Sequence, residues 1–243
     1  MIRVFRQAAP DGHEGRAQAA LAELTSAAQR NGGTPSRSDL QATYKDPDVR
    51  ETLWRMQHGK CAYCEREIEV AWEPVEHYRP FATYWWLAYS WQNLLLACNS
   101  CNSAGKSDRF PLVDESKRLR PQAQPPGEEM PLVLDPTSVK LADNPEQHLT
   151  FVEEPNGAWC IAPRDGSAAG SNSIEVCDLG RSHLNRLRNK RVAHLTQLRA
   201  RFERARQRDD PVEFANCRGE KALLTGDNQP FALLARVILA GIT

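Results

Sequence analysis

The chain has 243 residues, 41% of them hydrophobic, with 31 basic and 31 acidic side chains and no formal net charge. That length supports one sizeable core, or one core with a satellite, and the charge balance argues against a protein held on nucleic acid by bulk charge. The richest apolar stretch, Phe231 to Ala240, is interrupted by Arg236, which argues against a membrane span or membrane partner.

In chain order, Met1 to Arg6 alternate apolar and basic residues and predict a short strand; they lack the apolar stretch of a signal peptide. An Ala-rich helix is expected from Glu14 to Arg30, stopped by Asn31-Gly32-Gly33. A second helix should start near Pro47 and lead through Leu53, Trp54 and Met56 to Gly59-Lys60. Residues 1–60 thus read as an N-terminal helical region, 61–112 as a cysteine-clasped unit, and 113–131 as a Pro-rich linker. Residues 132–243 read as a C-terminal region. Within it, strands are expected at Leu132–Leu134, across Leu149–Ile161 with a Pro155-Asn156-Gly157 hairpin turn, and at Ser173–Cys177. A long helix from Ser182 to Arg208 carries Leu184, Leu187, Val192, Leu195, Leu198 and Phe202 on one stripe, with Arg186, Lys190, Arg201, Arg204 and Arg208 opposite. Residues 181–208 hold ten Lys or Arg against the single acid Glu203, an asymmetry expected of a solvated face or of a surface for nucleic acid or an acidic partner. A final helix is expected over Gln229–Ala240.

Cys61, Cys64, Cys98 and Cys101 read C-x2-C-x33-C-x2-C, the spacing of a closed tetrahedral zinc site that holds structure. Cys160, Cys177 and Cys217 have no such spacing and are expected as small buried hydrophobes. Seven cysteines in this arrangement suit a reducing cytoplasm. Between and just after the knuckles lie Glu76, His77, Asn93 and Asn102. For phosphodiester hydrolysis, His77 would be the general base, and Glu76 and Asn102 the oxygen ligands of a catalytic Mg2+ or Mn2+. Asn93 would brace the loop bearing His77. Lys106 and Arg79 would contact substrate phosphate. The aromatic cluster Tyr84, Trp85, Trp86, Tyr89 and Trp91 is expected in the core rather than stacked on bases. A zinc deaminase is a poor reading: Glu76 precedes His77 directly, and all four zinc ligands are already cysteines.

The array His77, Asn93, Asn102 resembles the HNH family of nucleases in its HNN variant. Gly-Lys-Cys-Ala-Tyr-Cys-Glu (59–65), Glu-His-Tyr-Arg-Pro (76–80), Trp91 through Leu96, Cys-Asn (101–102) with Lys106, and Phe-Pro-Leu (110–112) resemble the HNH subunit of Septu-type anti-phage systems, also found with some retrons. Leu-Val-Leu-Asp-Pro (132–136), Pro-Glu-Gln-His-Leu (145–149) and Leu-Asn-Arg-Leu-Arg (184–188) extend the likeness over roughly residues 50–200. Phe81 stands where relatives often carry Lys. The resemblance implies an α+β fold: a ββα-metal core clasped by the four-cysteine zinc site, with mainly helical flanks. It also implies nuclease activity on DNA or RNA and an ATPase partner subunit. The chain has no G-x4-G-K-[ST] loop, so ATP control would come from another chain. The alternative is a zinc-stabilised nucleic-acid or protein binding module without cleavage, which would have no use for His77.

Overall fold

The computed structural model describes residues 1–242, a mixed helical and stranded chain with two small antiparallel sheets. The first helix, α1 (His13–Arg30), buries Ala20, Leu24, Ala27 and Ala28. It stops as expected, with the amides of Asn31 and Gly33 returning to the carbonyls of Ala27 and Ala28. Residues 1–6 form no strand. Met1, Ile2 and Val4 are buried as an alternating segment should be, but the Val4 amide finds the Pro136 carbonyl at 2.7 Å and no ladder follows. Arg6 instead donates to the carbonyls of Trp91 and Leu94, tying this segment to the centre of the molecule.

Helix α2 (Pro47–Met56) has Pro at its first position, where no intrahelical donor is lost. Its exit is held by the buried Gln57. That amide accepts from the Leu96 amide at 2.8 Å and donates to the Leu96 carbonyl at 2.7 Å and to the Lys60 carbonyl at 2.8 Å. A side chain thus completes the edge of the small sheet that pairs β1 (Val75–His77) with β2 (Leu94–Leu96), in the register Val75↔Leu96, Glu76↔Leu95, His77↔Leu94. The connection between these strands contains the short helix α3 (Phe81–Tyr84) and the aromatic cluster, whose five rings are all buried.

Residues 113–131 are irregular, as their prolines dictate, yet they carry Glu129 into the interior. Leu132–Leu134 form no strand: Leu134 spends its amide on the Ser173 hydroxyl instead of a ladder. A short α4 (Pro145–His148) leads into the hairpin β3 (Leu149–Glu153) and β4 (Trp159–Pro163), turned at Asn156-Gly157 as expected. The strand expected at Ser173–Cys177 is instead the end of helix α5 (Ala168–Val176). Ser167 caps it by accepting from the Gly170 amide, and Gly170 packs so tightly on the His148 carbonyl that a Cβ would sit 2.2 Å from its oxygen. The long helix α6 spans Ser182–Arg208 and buries Leu184, Val192, Leu195, Leu198 and Phe202. It packs on an unexpected α7 (Pro211–Leu224), started by the Asp210 carboxylate on the amides of Val212 and Glu213. The last helix, α8 (Ala232–Ile238), is shorter than expected. No helix among the described residues is long and apolar enough to cross a membrane.

Candidate metal centre and catalytic face

The two knuckles meet because their backbones share β2. The Ala62 amide donates to the Leu96 carbonyl, two residues before Cys98. Cys61, Cys64, Cys98 and Cys101 are all buried, and their sulfurs lie within 4.8 Å of one another. A tetrahedral zinc–thiolate site needs sulfurs about 3.8 Å apart; Cys64 and Cys98 already stand at 3.7 Å. The four cysteines could therefore bind a zinc ion. The Cys98 amide points at the Cys61 sulfur at 3.3 Å. Arg181 aims its guanidinium at the Cys101 and Cys98 sulfurs at 3.4 and 3.6 Å. Hydrogen bonds from Cys101, Cys61 and Cys64, with Arg66 beside them, hold the Cys98 thiol far below the ordinary range. Four anionic sulfurs around a divalent ion leave excess negative charge, and Arg181 and Arg66 are placed to offset it. Of the remaining cysteines, Cys177 and Cys217 are buried and Cys160 is half-buried.

His77 and Glu76 are neighbours on β1 and so project to opposite faces. His77 Nε2 lies 2.9 Å from the Ala88 carbonyl. A carbonyl only accepts, so the neutral ring carries its proton on Nε2 and leaves the Nδ1 lone pair for another partner. Burial lowers the imidazole pKa to about 4, against the smaller upward pull of the Ala88 bond, so the ring is neutral at pH 7. Asn93 is buried and its amide is fully engaged. It accepts from the Arg79 amide at 2.7 Å and donates to the carbonyls of Arg79 and Leu87 at 3.0 and 3.1 Å. It thus ties the backbone just after His77 to the turn that presents the Ala88 carbonyl.

Glu76 points inward, 2.8 Å from Lys106 Nζ and 3.1 Å from the Tyr63 hydroxyl. Burial pushes its carboxyl up, against the pull of Lys106. Lys106 also donates to the His77 carbonyl at 3.1 Å. Those two contacts seat the short helical turn Asn102–Lys106 against β1, with Asn102 half-buried at its start. Gly105 in that turn packs on the Cys177 backbone, where a Cβ would come within 3.2 Å, so the turn is also pinned to the end of α5.

The two cations expected on phosphate face inward instead. Lys106 is fully buried on Glu76, and Arg79 donates at 2.9 Å to the buried Glu129, which also takes the Tyr84 hydroxyl. Both are needed to neutralise buried carboxylates. The long basic helix also divides its charge. Arg181 sits on the cysteine sulfurs, Arg188 is buried over the Phe151 ring, and Arg191 donates to the Pro230 carbonyl. Arg201, expected to project outward, instead pairs with Glu213 and Glu220 of α7. Arg186, Lys190, Arg204 and Arg208 remain exposed on one face.

Sequence reading missed Tyr44 and Arg37. The Tyr44 ring packs against the His77 imidazole with centroids 4.7 Å apart, and Arg37 is near enough to help hold the His77 pKa down. Both come from the N-terminal region, outside the clasp, and no motif marks them.

Over 161 residues the chain is 37% identical to the Septu protein PtuB of Bacillus mycoides (strain KBAB4), covering 60% of this chain and 52% of that protein. This chain is similar to Septu proteins. It is also 29% identical over 143 residues to the Septu protein PtuB of Bacillus thuringiensis, covering 58% of this chain and 42% of that one. The chain thus spans about half the length of the curated relatives it matches. No family model matches it.

Proposed function

We propose that this chain is a metal-dependent HNH endonuclease that hydrolyses phosphodiester bonds of DNA or RNA in bacterial anti-phage defence, working with an ATPase partner. The defence role and the partner rest on the likeness to Septu proteins and on the motif resemblance across residues 50–200. The chemistry rests on one observation above all: a neutral imidazole whose Nε2 is committed to the Ala88 carbonyl, leaving Nδ1 as a free acceptor.

In this reading His77 Nδ1 takes a proton from a water as that water's oxygen attacks phosphorus and the bond to the leaving oxygen breaks. An imidazole with a pKa near 4 is a weak base in the free protein. A low-pKa base of this kind is unprotonated, and so available to take a proton, throughout the neutral pH range. Asn93 positions the ring through the Leu87–Ala88 turn and the Arg79 backbone, both of which it bonds directly. Glu76 and Asn102 would be the hard oxygen donors for Mg2+ or Mn2+, which would draw charge from the scissile phosphate and the leaving oxygen, and Glu76 would have to turn its carboxylate from Lys106 to reach that ion. The carboxylate for that role is shared with Lys106, so the lysine sets how much negative charge the ion meets. Zinc in the four-cysteine site is structural and takes no part in proton transfer.

His77→Ala tests this directly. The protein should keep its zinc content and circular dichroism and lose cleavage of both DNA and RNA substrates with Mg2+ or Mn2+. Cleavage by the variant at the wild-type rate would refute the assignment.

A further inference from the structure

Beside His77 a cleft of about 320 Å³ opens between residues 44–50 and the loop leading into β1. Its walls include Tyr44, Lys45, Arg50, Trp72 and Val75. Tyr44 is shared between the cleft and the site, since the ring that lines the cleft also packs on the His77 imidazole. Trp72 is 82% exposed, whereas Trp85, Trp86, Trp91 and Trp159 are buried and Trp54 is half-buried with its Nε1 on the Ile68 carbonyl. An indole held in water forgoes the burial that usually makes tryptophan stabilising, and it offers an open aromatic face.

Charge gives the cleft a direction. On the Tyr44 side Lys45 is exposed and pairs with no carboxylate among the described residues, and Arg50 spans the carbonyls of Val70 and Glu73. On the other side of Trp72 lies a second hollow lined by Arg66, Glu67 and Glu69; Glu73 lines both hollows, with its carboxylate paired to Arg66. A polyanion crossing Trp72 is repelled from that hollow and drawn toward Lys45 and His77.

We infer that this cleft is a nucleobase subsite: an unpaired base of the substrate strand stacks on Trp72, and Lys45 takes its phosphate, placing the next phosphodiester at His77. The inference rests on the nuclease reading for what happens at His77, but it concerns binding and can be tested without cleavage. A stacked base contributes enough that removing the ring weakens single-strand binding about 5- to 150-fold.

The test is titration of the zinc-loaded chain with eight-residue oligo-dT and oligo-U, without added Mg2+ or Mn2+, followed by tryptophan fluorescence and anisotropy. Saturable quenching of the exposed indole is expected in the wild type. Binding should fall by that factor in Trp72→Ala and stay within about 5-fold of wild type in Trp72→Phe. Protection of Trp72 from iodide quenching by bound oligonucleotide reads the same contact in the unaltered protein. Wild-type affinity in a folded Trp72→Ala, or an indole still open to iodide at saturation, would overturn the subsite. Quenched binding with no cleavage once Mg2+ and the ATPase partner are both supplied would refute the nuclease reading and leave the subsite standing. Cleavage with an unchanged KM in Trp72→Ala would do the reverse.

Discussion

Replacing Lys106 with Met removes the cation that, among the described residues, is paired with Glu76, and leaves its carboxylate in the interior. The two side chains are 0% and 3% exposed and 2.8 Å apart. Breaking a buried pair from one side costs about 3–5 kcal/mol, because the surviving charge has neither water nor partner. Glu76 can escape by taking up a proton, at about 1.4 kcal/mol for each unit by which the ambient pH exceeds the unfolded glutamate value of ~4.3. Burial already raises that carboxyl with Lys106 present, and losing Lys106 raises it further. A carboxyl whose folded pKa lies above its unfolded one stabilises the fold fully below the unfolded value, near ~4.3, and loses that contribution as pH climbs through the folded value. Lys106→Met should therefore cost about 1–2 kcal/mol at pH 5.5, and about 3–5 kcal/mol at pH 8. Adding Glu76→Gln removes the orphaned charge and keeps a partner for the Tyr63 hydroxyl. The double variant should lie within about 2 kcal/mol of wild type and be insensitive to pH over that range. Urea unfolding at both pH values, with zinc held constant, completes the cycle. A Lys106→Met protein within about 1 kcal/mol of wild type at pH 8 would show that the pair is not a closed buried unit.

Cys98→Ser should release zinc and leave a chain open to limited proteolysis, because metal-binding energy at such a site is folding energy; Cys160→Ser, at a half-buried thiol outside the cluster, should keep both zinc and resistance. The acid limb of kcat/KM should fall near pH 4, the free His77 value; a limb near 6.5 would mean that the imidazole is not buried as described. The folded His77 pKa is depressed, so its contribution to stability is complete above the unfolded value near ~6.5 and drains away as pH falls toward 4. On α6, Arg186→Gln, Lys190→Gln, Arg204→Gln and Arg208→Gln together should lower the salt dependence of nucleic-acid binding by about one unit per lost phosphate contact. Unchanged binding with a broken partner complex would assign that face to the protein partner.

The parts of this fold written in local spacing could be read without coordinates. The two C-x2-C knuckles, the Asn-Gly-Gly stop of α1 and the Asn-Gly turn of the second hairpin each need only a few neighbouring residues. Errors came where a distant contact overrides a local preference. Ser173–Cys177 looks like a strand by residue type, but Ser167 caps a helix there and Gly170 must fit against His148. Charged residues misled for the same reason. Lys106, Arg79 and Arg201 look available for phosphate until Glu76, Glu129, Glu213 and Glu220 arrive from 12 to 50 residues away. Helix α7 does carry a local signal, since Asp210-Pro211 is a cap followed by a first-turn proline.

Arg181 also sets a timetable for the molecule. It follows Cys101 by 80 residues, yet it is the side chain that lies over the Cys101 and Cys98 sulfurs. At about 5–20 residues per second of synthesis, roughly 4–16 s pass between the second knuckle and its counter-charge. A nascent clasp loaded with metal during that interval would have Arg66 but not yet Arg181 to offset its surplus anionic charge. The root of the basic helix then closes over it, so completion of the metal centre reports that the ribosome has passed the middle of the chain.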